Sequence, residues 1–99
     1  MTAADLPAGP ELDRRVATAL DVAGKWEPYP YSQVLGVGTY DMTRWLTADG
    51  AELGSKILTG DVYVDWESTA LHVITAEGDT LPLALSRLVV RVAEWRAGR

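Results

Sequence analysis

The sequence predicts an α+β fold: a small layered sandwich whose antiparallel sheet contains a β-hairpin and is packed by three helices, N-terminal, short middle and C-terminal. Three observations predict it. Leu12, Val16, Ala19, Leu20 and Ala23 recur at three- and four-residue steps, the spacing of one helical face. Leu81, Leu85, Leu88, Val89, Val92 and Trp95 repeat that spacing near the other end of the chain, with Arg87, Arg91 and Arg96 largely off the stripe. Between these stretches, DVYVDW (61–66) and ALHVITAE (70–77) alternate residue by residue and are rich in β-branched and aromatic side chains, which makes them the strands of a hairpin.

Each element has its local cause. Residues 1–10, with Pro7, Gly9 and Pro10, read as a flexible tail, and 11–99 as one α+β domain. Pro10 suits a first helical turn, because its missing N–H is not needed there. Glu11 and Asp13 place negative charge at the positive end of the helix dipole. A helix over 11–23 follows, with Gly24 as its C′ residue. KWEPYPYSQVLGVG (25–38) holds two prolines and two glycines and reads as a long loop, since each proline drives its predecessor toward extended geometry. Thr39 as a cap, Asp41 in the first turn, and Met42, Trp45 and Leu46 suggest a helix over about 40–49, followed by a loop. Asp49-Gly50 would equally suit a hairpin turn. Two strands make a marginal sheet, so a third lies in 51–60 or 31–37, or another subunit completes it. Glu67-Ser68-Thr69 links the hairpin strands. Thr80 caps the last helix, over about 81–96, with Pro82 in its first turn.

Composition removes whole classes of function. Ninety-nine residues suffice for one core only. Without cysteine, disulfide scaffolds, thiol nucleophiles and cysteine-bound zinc are excluded. One histidine, His72, is too few for a histidine metal site. A formal charge of −5 argues against DNA or RNA backbones as partners. No apolar run approaches the roughly 20 residues that span a bilayer, and MTAADLPAGPELD lacks the features of a signal peptide. A small soluble intracellular domain is expected, with no membrane partner.

Few residues carry chemistry. A serine nucleophile would need His72 as its base, yet His72 sits mid-strand, where a partly exposed face position explains it. Asp61, Asp65, Glu67, Glu77 and Asp79 crowd one hairpin with no Lys or Arg between 60 and 80. Charge that protects strand edges accounts for them better than a cation site does. No enzyme, cofactor or metal is therefore expected. Trp26, Tyr29, Tyr31, Tyr40 and Trp45 fall within twenty residues of a chain that has no phenylalanine. Such rings suit surfaces that are both apolar and wet, and a base can stack on them. Core filling competes for Trp26 and Trp45. Backbone amides around Gly36–Thr39 would cradle an anion if the turn leaves them open. Arg87 and Arg91, one turn apart, would meet a phosphate or a partner's carboxylates if they are not simply a solvated face.

The order of elements, together with Leu12-Asp13 and Val16, Pro30-Tyr31-Ser32, Trp45 and Thr80-Leu81-Pro82-Leu83-Ala84-Leu85, resembles the phage ABA-sandwich domain family of small phage proteins. The likeness spans about residues 11–96. The family continues Tyr-Ser with Thr-Asp and an immediate helix, whereas Gln33 to Gly38 intervene here and Thr39-Tyr40-Asp41 stand in for that helix start. The resemblance implies a phage origin, the bacterial cytoplasm, a layered α/β fold and no catalytic constellation. It also implies a distant likeness to anti-Thoeris sponges, which are homo-oligomers that sequester nucleotide signals in pockets between subunits.

The expectation is thus a non-enzymatic phage accessory protein that acts by binding, itself a homo-oligomer. Its partner is a nucleotide-derived signal or, alternatively, a bacterial host protein that it inhibits. The binding residues are expected among Trp26, Tyr29, Tyr31, Ser32, Thr39, Tyr40, Trp45 and Arg87.

Overall fold

The computed structural model describes residues 6–21 and 29–98. Three helices and three strands follow in the order α1 (Pro10–Ala19), α2 (Val37–Thr47), β1 (Glu52–Leu58), β2 (Asp61–Glu67), β3 (Val73–Gly78) and α3 (Leu81–Ala97). The fold is α+β, a helical layer packed on one face of an antiparallel sheet ordered β1-β2-β3.

Helix α1 is shorter than its apolar spacing suggests. Leu20 caps it, and Asp21 then turns into the left-handed region at φ 61°, which short polar side chains tolerate. Ala23 and Gly24 lie outside the described residues. Helix α2 starts three residues ahead of the expected boundary. Thr39 is not its N-cap but its third residue, where its hydroxyl reaches back to accept from the Gly36 N–H at 3.3 Å. Asp49-Gly50 does not join two strands. It lets the chain leave α2 and enter β1, with Gly50 at φ 89°.

The third strand, for which the sequence offers 51–60 or 31–37, is β1, in the first of these stretches. It was hard to see because only Leu53 of its seven residues is even half-buried. Thr59 and Gly60, at φ 49° and 88°, make the two-residue turn whose twist matches that of the flanking strands. Strand β3 begins three residues later than expected. Ser68 accepts from the His72 N–H through its hydroxyl and from the Leu71 N–H through its carbonyl, and Leu71 adopts φ 64°. The link is therefore Ser68–His72, and His72 precedes the strand instead of lying within it.

One face of the sheet, Val62, Val64 and Trp66 with Ile74 and Ala76, meets the helices. Against it α3 lays Leu85, Leu88, Val89 and Val92, all buried, in a helix capped at 3.4 Å by the Thr80 hydroxyl as its sequence predicts. Leu12 and Val16 of α1 and Met42 and Leu46 of α2 complete the core. Trp66 is fully buried and donates its indole N–H to the Leu46 carbonyl at 2.8 Å. That bond ties the central strand to the last turn of α2, where helical carbonyls have no partner of their own. Trp66→Phe keeps most of the ring and removes the donor. It should lower stability by about 1–3 kcal/mol in chemical denaturation, the cost of a buried carbonyl left unpaired.

Candidate functional site

The loop between α1 and α2 is held from both sides. Asp13, buried in the first turns of α1, accepts from the Ser32 N–H at 2.7 Å, the Ser32 hydroxyl at 2.6 Å and the Gln33 side-chain amide at 2.9 Å. The Ser32 oxygen in turn accepts from the Gly9 N–H at 3.0 Å. The preceding stretch is anchored a second time where Arg87 donates to the Leu6 carbonyl at 3.1 Å. Residues 6–9, expected as part of a tail, thus lie bonded to the domain.

Beside this clamp the rings of Tyr29 and Tyr31 pack at 4.9 Å. Tyr29 accepts from the Gly38 N–H at 3.2 Å, supplying the helix-end acceptor that glycine at the N-cap, Gly36, cannot. Gly38 is required there: a Cβ would meet Tyr29 Cε1 at 2.4 Å and Tyr31 Cδ1 at 2.9 Å. Burial, then Asp41 and then Tyr29, raise the Tyr31 hydroxyl above the usual tyrosine range.

The structure redistributes the residues expected to bind. Tyr31 and Ser32 are 4% and 1% exposed and position the loop. Tyr29 and Thr39 cap α2. Arg87 and Arg91 donate to the carbonyls of Glu77 and Thr75 along β3. The amides of Gly36 and Gly38 already have acceptors, so the anion cradle expected at Gly36–Thr39 is largely filled. Trp26 lies outside the described residues. His72 stacks on Trp95 with centroids 4.5 Å apart and planes 9° from parallel, and Trp95 meets Trp66 edge-on.

Two surfaces lie beside this region among the described residues. A groove of about 680 Å³ is lined by Leu20, Tyr31, Asp41, Arg44, Trp45, Thr47 and Ala48. Trp45 is steadied there by Arg96, whose guanidinium lies 4.4 Å from the ring centre and 3.4 Å from Asp49. Around the start of α2, Val34, Leu35, Val37 and Tyr40 are 46%, 63%, 67% and 62% exposed, a cluster of apolar side chains within seven residues. Sequence reasoning missed Asp13 and Gln33 as loop-holders and Arg44 and Asp41 as groove residues. A helix-dipole role explained Asp13 too easily, and nothing marked Arg44 except its position one residue before Trp45.

Two measurements check this assignment. Asp13→Ala removes three acceptor bonds from a buried site and should cost about 2–4 kcal/mol. Asp13→Asn, which keeps one carbonyl oxygen for Ser32, should cost less. The raised Tyr31 hydroxyl favours the protonated folded state, so its stabilisation is complete below pH about 10 and is lost as pH rises through the folded value. Thermal melts should therefore fall above that pH, and Tyr31→Phe should flatten the decline.

No family profile, curated protein or solved structure matches this chain. Among the described residues no helix is long and apolar enough to cross a membrane.

Proposed function

We propose that this protein is a phage accessory protein that acts by binding in the bacterial cytoplasm and sequesters a nucleotide-derived signal. The observation that carries the reading is the groove along α2. Its volume of about 680 Å³ falls within the range of small-ligand sites, roughly 300–1,000 Å³. Trp45 offers ring surface to a base, and Arg44 offers a forked donor to a phosphate. Asp41 and Thr47 supply polar groups that discriminate among base edges or hydroxyls. A binding role, not a catalytic one, agrees with His72 lying flat on Trp95. The phage setting is supported by the likeness of Leu12-Asp13, Pro30-Tyr31-Ser32 and Thr80–Leu85 to the ABA-sandwich pattern. Two of those motifs meet in the fold, where Asp13 and Ser32 form one clamp.

One observation favours a second reading. The exposed Val34, Leu35, Val37 and Tyr40 form an apolar surface suited to a host protein that this chain would inhibit.

The two readings separate in one set of experiments. Under the first, the melting temperature rises with a cyclic or ADP-ribose nucleotide at micromolar concentration. Arg44→Ala, an exposed position, should cut that affinity at least tenfold, while Leu35→Asp leaves it unchanged. Absence of a shift across such a panel overturns sequestration. Loss of host-protein capture on Leu35→Asp, with Arg44→Ala neutral, supports the inhibitor.

A further inference from the structure

The two edges of the sheet are treated differently. Antiparallel pairing alternates residues whose backbone groups face one neighbour with residues that face the other. Leu58 and Asp61 close the two-residue turn as a bonded pair, so Leu58, Lys56, Gly54 and Glu52 face β2. The amides and carbonyls of Ile57, Ser55 and Leu53 face outward. The same alternation carried to β3 points the carbonyls of Thr75 and Glu77 outward, and those accept from Arg91 and Arg87. Two outward carbonyls of the β3 edge are thereby occupied by α3. Strand β1 lies at the opposite edge, and its outward backbone groups face away from the sheet.

We propose that the β1 edge pairs antiparallel with β1 of a second copy of this chain, about a two-fold axis at Gly54, giving a continuous six-stranded sheet. Three features of β1 fit that partner. Gly54 weakens a strand interior, yet its φ is not positive and a Cβ there would meet nothing within 4 Å. Among the described residues, nothing inside one copy requires a glycine. On the axis it lies in a pair without hydrogen bonds, where Cα atoms approach to about 4.5 Å.

Charge supplies the second feature. Glu52 and Lys56 flank Gly54 symmetrically on the outer face. Within one copy Glu52 stands opposite Glu67, a like-charge pair that costs stability. In the dimer it faces Lys56 of the partner subunit, and the symmetry forms that pair twice. The third feature is apolar. Ile57, on the helix-facing side, is 72% exposed beside a groove formed with Ser55, Val62 and Leu81. In this register Ile57 lies across from Ala51 of the partner subunit.

Sedimentation of the full chain across a concentration series tests the pairing, and it needs no ligand. The expected species has twice the chain mass. Glu52→Lys and Lys56→Glu each create two like-charge pairs and should weaken the dimer about tenfold. The combined E52K/K56E variant should return it to within about threefold of the parent. All three should melt normally when dilute, because Glu52 and Lys56 are exposed. Amide exchange at Leu53 and Ser55 should slow as concentration rises. A monomer at every concentration, or a dimer indifferent to both single reversals, overturns the proposal. So does a monomer whose β1 edge takes an extended peptide instead.

Discussion

The Asp13 carboxylate sets the position of everything on the α2 side of the molecule. It is buried, and a buried acceptor of that strength is tolerable only when its oxygens are filled. Ser32 fills one with both its N–H and its hydroxyl, and Gln33 fills the other. That requirement fixes where the loop must pass over α1. Once Ser32 is placed, Tyr31 is driven into the core and Tyr29 is set beside it. Their rings then define the surface against which Gly38 must lie. Helix α2 has little choice of position after that, and the groove along it inherits the same geometry. A clamp made from residues 19 positions apart thus does what a two-helix contact of small area would do only loosely.

The other half of the molecule is organised by α3. Its apolar stripe covers β2 and β3, while its arginines occupy two carbonyls of the β3 edge and steady Trp45. The helix that looked like a basic surface is therefore a structural brace. Two of its arginines reach backbone carbonyls of β3 beside a hairpin rich in acidic residues. Arg44 is consequently more conspicuous, a cation at the groove and on the exposed side of α2, 5.6 Å from the Tyr40 ring. Selective recognition of an anion by an acidic protein needs such local focusing of positive potential.

How much of this could be read from the sequence follows from how each signal arises. Helices α1 and α3 and strand β2 bury one clear face, and burial is what periodicity reports. The Thr80 cap was legible because its partner is three residues away. Strand β1 was not, since an edge strand covered by little carries no alternation. The boundary of α2 was misplaced because its cap comes from Tyr29, nine residues upstream, and from a back-bonding Thr39. His72 seemed to extend a strand that Ser68 interrupts. For the site, the aromatic cluster lies in the stretch that contributes Tyr31 and Trp45 to the groove along α2, but composition cannot tell an exposed ring from one that caps a helix. Tyr31 and Tyr40 are chemically alike and opposite in exposure.

The same constraint separates residues that can evolve with a ligand from residues that cannot. Tyr31, Ser32, Asp13 and Gly38 each serve a buried contact, so changing any of them moves the loop before it alters recognition. Asp41, Arg44 and Tyr40 of α2 are exposed and bound to no backbone group through their side chains among the contacts described. They can vary at little cost to the fold. A binding protein built this way keeps its scaffold in motifs that look functional and its specificity in positions that look ordinary. Short motifs such as Pro30-Tyr31-Ser32 would then trace the architecture. On the proposed binding reading, specificity would be written in the exposed residues between Val34 and Ala48.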